Sequence, residues 1–348
     1  MENRTFNYPL VSIIIPVYNG LKNELEGCLE SIKKQTYSYR EIIVVDDKSS
    51  DNSIELINHS LTNENFRLIK HSENKGLSQS WNDGVKECHG EYILLIQQDC
   101  RLLNEDAIFK GVEKLYEKKD VILTGFQKID YKKLNTYQKL LRFRLNEIEE
   151  NPFSGKNVSI TENKCDLCPL ETIKKIGPFS TKLNQSGQDL IFSARAKHLK
   201  VSIELDQNLA YSISYEGENS LKKLVKKEYK YGKANIAIFR TFRNTGFMKF
   251  DEGEKSLRRD KIKSRALNVI SPIPIFLLII FYVLLLNLTV PILILPYVLA
   301  WMIYYIVIIR NRNGINKGLN LPLFKSSIIL MILDFVYLTG TIIGLFIS

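Results

Sequence analysis

Histidine and cysteine are scarce, with four His and five Cys among 348 residues. An odd number of cysteines argues against a disulfide framework. Cys165 and Cys168 form a CxxC, yet no second pair stands at zinc spacing, which removes a metal finger and leaves an ordinary loop pair. None of the histidines (His59, His71, His89, His198) has a clear catalytic neighbour along the chain. There is no glycine-rich phosphate loop, internal repeat or low-complexity tract. Acidic residues number 38 against 48 Lys and Arg, a net charge of +10. In a soluble chain that charge would suggest nucleic acid, but no RNA-binding signature accompanies it, and no nucleic-acid partner is expected.

The position of the charge gives the better reading. Between Lys222 and Arg265 stand 15 Lys or Arg against five Asp or Glu, immediately ahead of two long apolar stretches. A membrane-spanning helix needs about 20 predominantly apolar residues. Three spans are expected, at 267–286, 290–309 and 326–347, with a turn at Asn287, Leu288, Thr289 and Pro291. Basic residues precede the first span and fill the loop between the second and third (Arg310, Arg312, Lys317, Lys325), which places the N-terminal region in the cytoplasm. Juxtamembrane basic residues are attracted to anionic membrane lipids. No cleavable signal is visible at the polar N-terminus, so the apolar hairpins are expected to target the chain. Asp334 falls inside the third span, where an ionisable group faces other helices, a head-group or a proton path. The expected organisation is a cytoplasmic domain over 1–220, basic interfacial helices over 221–265 and a membrane domain over 266–348.

The first hundred residues alternate short apolar runs with helical periodicity. Strands are expected at Val11 to Val17, Glu41 to Val45, Phe66 to Ile69 and Glu91 to Ile96, with helices at 24–34, after Ser53, and at 77–88. Such a βαβ succession folds as an α/β domain with a mostly parallel sheet. Beyond it the pattern loosens. A strand is expected near 121–125, a helix over 132–150, a helix from Gln188 and a strand over 201–205.

Three of the strands end abruptly in polar groups: Pro16, Tyr18 and Asn19; Asp46 and Asp47; Gln97, Gln98 and Asp99. In open α/β sheets ligands bind outside the carboxyl ends of the strands. An aromatic face beside a carboxylate can stack on a base and accept its N–H.

The stretches VSIIIPVYNG, CLESIKKQTY, EIIVVDDKSSDNS and ENKGLSQSWNDGVKECHGEYILLIQQD, in that order, resemble the GT-A domain of family 2 inverting glycosyltransferases. The likeness is close over about 10–100 and looser to about 235 through GPF, GQDLIFSARAK and YKYGKAN. It implies a Rossmann-like GT-A fold and a nucleotide-sugar donor. It also implies base contacts from Tyr18 and Asp47, with Pro16 in the supporting loop. Lys75 is placed near base or diphosphate and Gln98 near a ribose hydroxyl, while Asn82 matches a recurrent asparagine.

The metal motif of the family, DxD, here reads Gln97, Gln98, Asp99. Asp99 is the implied ligand of Mg²⁺ or Mn²⁺, and one carboxylate suffices where substrate phosphates and water complete the shell. The catalytic base implied by the family's ED pair falls on Asp189, after Gln188. The histidine that many relatives carry about 25 residues later is missing from Ser214 to Gly217, and so is the QxxRW motif of processive synthases. Transfer of one sugar is therefore expected, to a lipid-linked acceptor. That acceptor is a growing glycan on a polyprenyl or dolichyl carrier, or else the carrier phosphate itself. The DGT ending of dolichyl-phosphate mannose synthases is absent around Asp46, which favours the glycan. A donor-binding scaffold without activity is the competing class.

Overall fold

A computed structural model describes the chain except residues 1–7, 23, 117, 145–157, 159, 162, 182–186, 214–218, 246–289, 316–318 and 348. Two compact units result. The first comprises 1–129, 152–216 and 241–256, and the second comprises 130–151, 217–240 and 257–348.

The first unit is built on β1 (Val11–Val17), β2 (Arg40–Asp46), β3 (Phe66–Lys70) and β4 (Tyr92–Ile96), four parallel strands in the order β3-β2-β1-β4. β1 lies at the centre of this block and is buried along its whole length. That burial explains why it reads as a continuous β-branched run rather than an alternating one. Its side chains still alternate between two cores. Ile13 and Ile15 join one face, and Ile14 joins the other with Ile43, Val45 and Trp81. Burying an aliphatic side chain of this size stabilises by about 1.5–3 kcal/mol.

The crossovers are α1 (Leu25–Lys33), α2 (Ser53–Ser60) and α3 (Leu77–Lys86). α1 buries Leu25, Cys28, Leu29 and Ile32, the stripe that its 3.6-residue spacing demands. Gly84 of α3 stands against β1, where a Cβ would meet Ile14 Cγ2 at 2.5 Å. Helix and sheet therefore approach closely beneath the strand ends.

The second half of the sheet departs from the sequence reading. β4 is followed by β7 (Cys165–Pro169), which runs antiparallel to both β4 and β6 (Val121–Gln127). Next come β8 (Ser202–Ile213), parallel to β6, and the short β5 (Cys100–Leu102) at the edge. β8 is 12 residues long, well past the expected Leu205. The CxxC pair is not a loop. Cys165 and Cys168 lie on β7 three positions apart, so they face opposite cores and cannot share a ligand. Pro169 hid the strand, because it occupies the strand's last position. α4 (Ala107–Leu115), α6 (Leu170–Ile176) and α7 (Gln188–His198) cover the sheet.

The second unit contains α5 (Thr136–Arg144), α8 (Leu221–Thr245), α9 (Val290–Ile315) and α10 (Leu323–Ile347). α5 is shorter than the expected 132–150, and its continuation lies outside the described residues. The expected span at 267–286 also lies outside them. Among the described residues one helix, over Leu323–Ile343, is long and apolar enough to cross a membrane; α9 contributes a shorter apolar run, Val298–Asn311. The expected span at 326–347 falls largely on the first of these, and the one at 290–309 overlaps the shorter run. Asp334 is completely buried and pairs with protein: its Oδ1 accepts from Arg144 Nη1 at 2.6 Å and its Oδ2 from the Tyr305 hydroxyl. Helix pairing is its role here.

Candidate active site

The site is assembled at the carboxyl edge of β1, β2 and β4. Tyr18 follows β1 with its side chain 47% exposed, an open aromatic face in a loop otherwise pinned by hydrogen bonds. Asn19 adopts a left-handed backbone, its N–H donates to Ser49 Oγ at 2.9 Å, and its Oδ1 accepts from the N–H of Ser50 at 2.8 Å. Gly20 N–H donates to Ser53 Oγ at 2.7 Å. The loop after β1 is therefore stitched to the loop after β2.

Gln98, which the resemblance puts near a ribose hydroxyl, is hydrogen-bonded to the backbone of Tyr18. Its Oε1 accepts from Tyr18 N–H at 2.8 Å and its Nε2 donates to Tyr18 O at 3.1 Å, a two-point amide clamp on the tyrosine backbone. A carboxylate could accept from that N–H but could not donate to the carbonyl. Gln at this position therefore fixes Tyr18.

Asp47 is 4% exposed and supports the turn ahead of α3. Its Oδ1 accepts from Lys75 N–H at 2.7 Å and its Oδ2 from Gly76 N–H at 2.8 Å. Gly76, at φ +85°, has a backbone that side-chain-bearing residues rarely adopt, although a Cβ there would touch nothing. This pair of backbone donors is the reason that a carboxylate, rather than an amide, stands at 47. The Lys75 side chain is exposed above the same turn.

His71 is the residue that sequence reasoning passed over. Buried just beyond β3, it places Nδ1 2.8 Å from Asp47 Oδ1. Nε2 lies 3.3 Å from Asp83 Oδ2 but is not aligned for a hydrogen bond. The available signal was positional: His71 lies at the carboxyl edge of a parallel strand next to the one bearing Asp47.

Replacing Asp47 with Asn is expected to lower stability by about 1–3 kcal/mol, since an NH₂ group must then face one of two backbone donors and leave it unpaired. Urea unfolding would measure this loss. The same substitution is expected to weaken nucleotide binding by releasing the turn that carries Lys75, which calorimetric titration with nucleoside diphosphate would detect.

After β4 the Gln97 side chain turns away from the strand end, its Nε2 donating to Asn163 O at 3.1 Å. Asp99 is half-buried beside Cys100, whose Sγ is 3.8 Å from Asp99 Oδ1. Among the described residues no group of three potential metal ligands forms. A single oxygen ligand at this edge fits Mg²⁺ or Mn²⁺ held together with substrate phosphate and water, and it does not fit an all-protein metal cage. Burial pushes the thiols of Cys28, Cys100, Cys165 and Cys168 well above their ordinary range, with nearby carboxylates adding to the rise. They are neutral side chains of the core, not metal or redox thiolates.

Asp189 lies in the first turn of α7, half-buried, after Gly187 at φ +92°. A hydrogen-bonded chain connects this turn to the end of β4. Ser193 Oγ donates to Asp189 O at 2.7 Å and accepts from Thr161 N–H at 3.0 Å. Thr161 Oγ1 accepts from Asn163 N–H at 3.0 Å, and Asn163 O accepts from Gln97. Asn82 secures the approach to α7 from the other side, exchanging two hydrogen bonds with the Phe179 backbone at 2.9 and 2.7 Å. Arg195 Nη2 donates to Pro178 O at 2.5 Å. The recurrent asparagine thus positions the segment leading to the helix that bears Asp189.

Residues 12–177 match the family model described as glycosyl transferase family 2. The chain carries a family 2 glycosyltransferase domain. It is 37% identical over 130 residues to the glycosyltransferase GlyG of Streptococcus pneumoniae, a match covering 37% of this chain and 42% of that protein. It is 26% identical over 238 residues to the glycosyltransferase AglE of Haloferax volcanii, covering 68% and 76% of the two chains. The chain thus matches less than half the length of the pneumococcal relative. Among solved structures, the mannosyltransferase PcManGT of Pyrobaculum calidifontis, in complex with GDP-Man and Mn²⁺, superposes with a TM-score of 0.62 over 98% of this chain and 89% of that one, at 13% identity. At that identity the likeness establishes the GT-A fold of the family 2 domain.

Proposed function

We propose that the chain is an inverting glycosyltransferase that moves one sugar from a nucleotide-sugar donor to a lipid-linked acceptor, a glycan growing on a polyprenyl or dolichyl carrier. The observation that supports this best is the convergence of Tyr18, Asp47 and Asp99 at one sheet edge, joined by hydrogen bonds to the turn bearing Asp189. In this reading the base stacks on the open face of Tyr18, above the turn that Asp47 holds. Lys75 offers a point charge to the diphosphate. Pro16 and Gln98 position Tyr18. Asp99 holds Mg²⁺ or Mn²⁺, which neutralises charge developing on the leaving diphosphate. Asp189, in the first turn of α7, takes the proton from the acceptor hydroxyl as that oxygen attacks the anomeric carbon from the face opposite the diphosphate.

The catalytic domain is placed on the cytoplasmic side of the cell membrane, held there by the basic segment after residue 221 and the apolar segments that follow.

Incubating membranes containing the full chain with a panel of nucleotide sugars, with and without Mn²⁺, and analysing the lipid extract by mass spectrometry tests this reading. A glycolipid heavier by one sugar is expected, and transfer to no lipid from any donor would overturn the reading. Chelation with EDTA is expected to abolish the product and Mn²⁺ or Mg²⁺ to restore it. Because Asp99 is the single carboxylate proposed for the site, half-saturation should need more metal than in enzymes retaining both acids of the motif.

A further inference from the structure

Leu323–Ile343 of α10 has the length and apolarity of a membrane span, and Asp334 is the twelfth of those 21 residues. In a simple span Asp334 would therefore sit near the bilayer centre. Its surroundings argue against that depth. Arg144 of α5 forks between two carboxylates, donating from Nε and Nη2 to Glu228 at 3.0 Å each and from Nη1 to Asp334 at 2.6 Å. All three side chains are at most 3% exposed.

α8, which carries Glu228, crosses α10 at backbone contact. A Cβ on Gly232 would meet Tyr337 O at 2.1 Å, and one on Gly340 would meet Tyr229 O at 2.4 Å. Close approach of two backbones at paired glycines fixes the two helices against each other. Leu224, Glu228 and Gly232 form the buried stripe of α8, while Lys222, Lys223, Lys226 and Lys233 on its other faces are exposed. A spanning α10 would carry these exposed lysines into the hydrocarbon, where each charge is costly.

We infer that α10 does not cross the bilayer but lies along its cytoplasmic surface, clasped by α8 and α5, with its exposed apolar stripe against the lipid acyl chains. This inference rests on the membrane-bound reading above and replaces one of its expected spans. The stripe is Phe324, Ile328 and Ile332, one turn apart each, with Phe324 61% exposed. α9 presents a matching stripe of Leu299, Ile303 and Val307, with Ile303 56% exposed. Lys325, exposed beside Phe324, suits an anionic headgroup at the same surface. An exposed apolar stripe on α10, with exposed lysines on the α8 packed against it, suits an in-plane interfacial element.

The test is sidedness. The full chain carrying Lys325→Cys or Ser348→Cys is treated with a membrane-impermeant maleimide in inside-out and right-side-out vesicles, with the unsubstituted chain as background. Both positions are expected to label in inside-out vesicles and to lose labelling in right-side-out ones. Labelling of the two positions from opposite faces would show that α10 crosses and would overturn the inference while leaving membrane attachment intact. Protease removal of an epitope tag appended after Ser348, from the same two preparations, gives the answer without a cysteine. Recovery of the chain in the soluble fraction would instead sink the membrane-bound reading itself, and the inference with it.

Discussion

Asp189→Asn is expected to lower sugar transfer by about 10²–10⁴-fold, the usual range for loss of a positioned general base. Asn keeps the size of the side chain and can still accept a hydrogen bond, but it cannot take up a proton at neutral pH. The backbone carbonyl that receives the Ser193 hydroxyl is untouched, so α7 keeps its connection to Thr161 and to the end of β4. Nucleotide-sugar affinity should therefore stay near that of the unsubstituted chain. Single-turnover transfer rates alongside calorimetric donor binding separate the two effects. Equal transfer rates in the two proteins would remove Asp189 from the mechanism, whereas parallel loss of binding and rate would make it a structural residue of the site.

The second large effect is expected in the helical unit. Arg144→Met removes the one guanidinium that joins Glu228 to Asp334, and leaving buried charges uncompensated costs about 3–5 kcal/mol. The pairing holds the Arg144 guanidinium above its already high ordinary range: burial opposes the charge, and the two carboxylates outweigh it. Thermal unfolding in detergent would register the loss as a marked fall in midpoint. Combining Arg144→Met with Glu228→Leu and Asp334→Leu is expected to recover much of it, because a packed apolar cluster avoids desolvating three charges. If Arg144→Met left the midpoint unchanged, the cluster would be incidental to packing.

How far the site was legible depended on how local each signal was. Tyr18, Asp47 and Asp99 stand out as candidates because each lies within three residues of the end of a buried apolar run, and period and placement travel together in parallel strands. Resemblance put Gln98 near a ribose hydroxyl, and nothing local shows that its amide holds Tyr18 by both backbone groups across 80 residues of sequence. His71 was invisible for a similar reason, since its partners Asp47 and Asp83 lie on different crossovers. β7 was missed because it is short and ends in Pro169, so its two cysteines read as a loop pair. Only the pairing with β4 and β6 reveals that they point apart.

The sequence by itself determined the four parallel strands, the helices between them, the polar strand endings and the split into an α/β region and an apolar tail. These follow from periodicity and composition, which act over a few residues. Tertiary structure alone decided which carboxylates are tied into the fold. It sewed Asp47 into the turn that bears Lys75 and buried Asp334 against Arg144 and Tyr305. Hydrophobic burial depends on local pattern, whereas the satisfaction of a buried polar group depends on what the fold brings within about 3 Å of it.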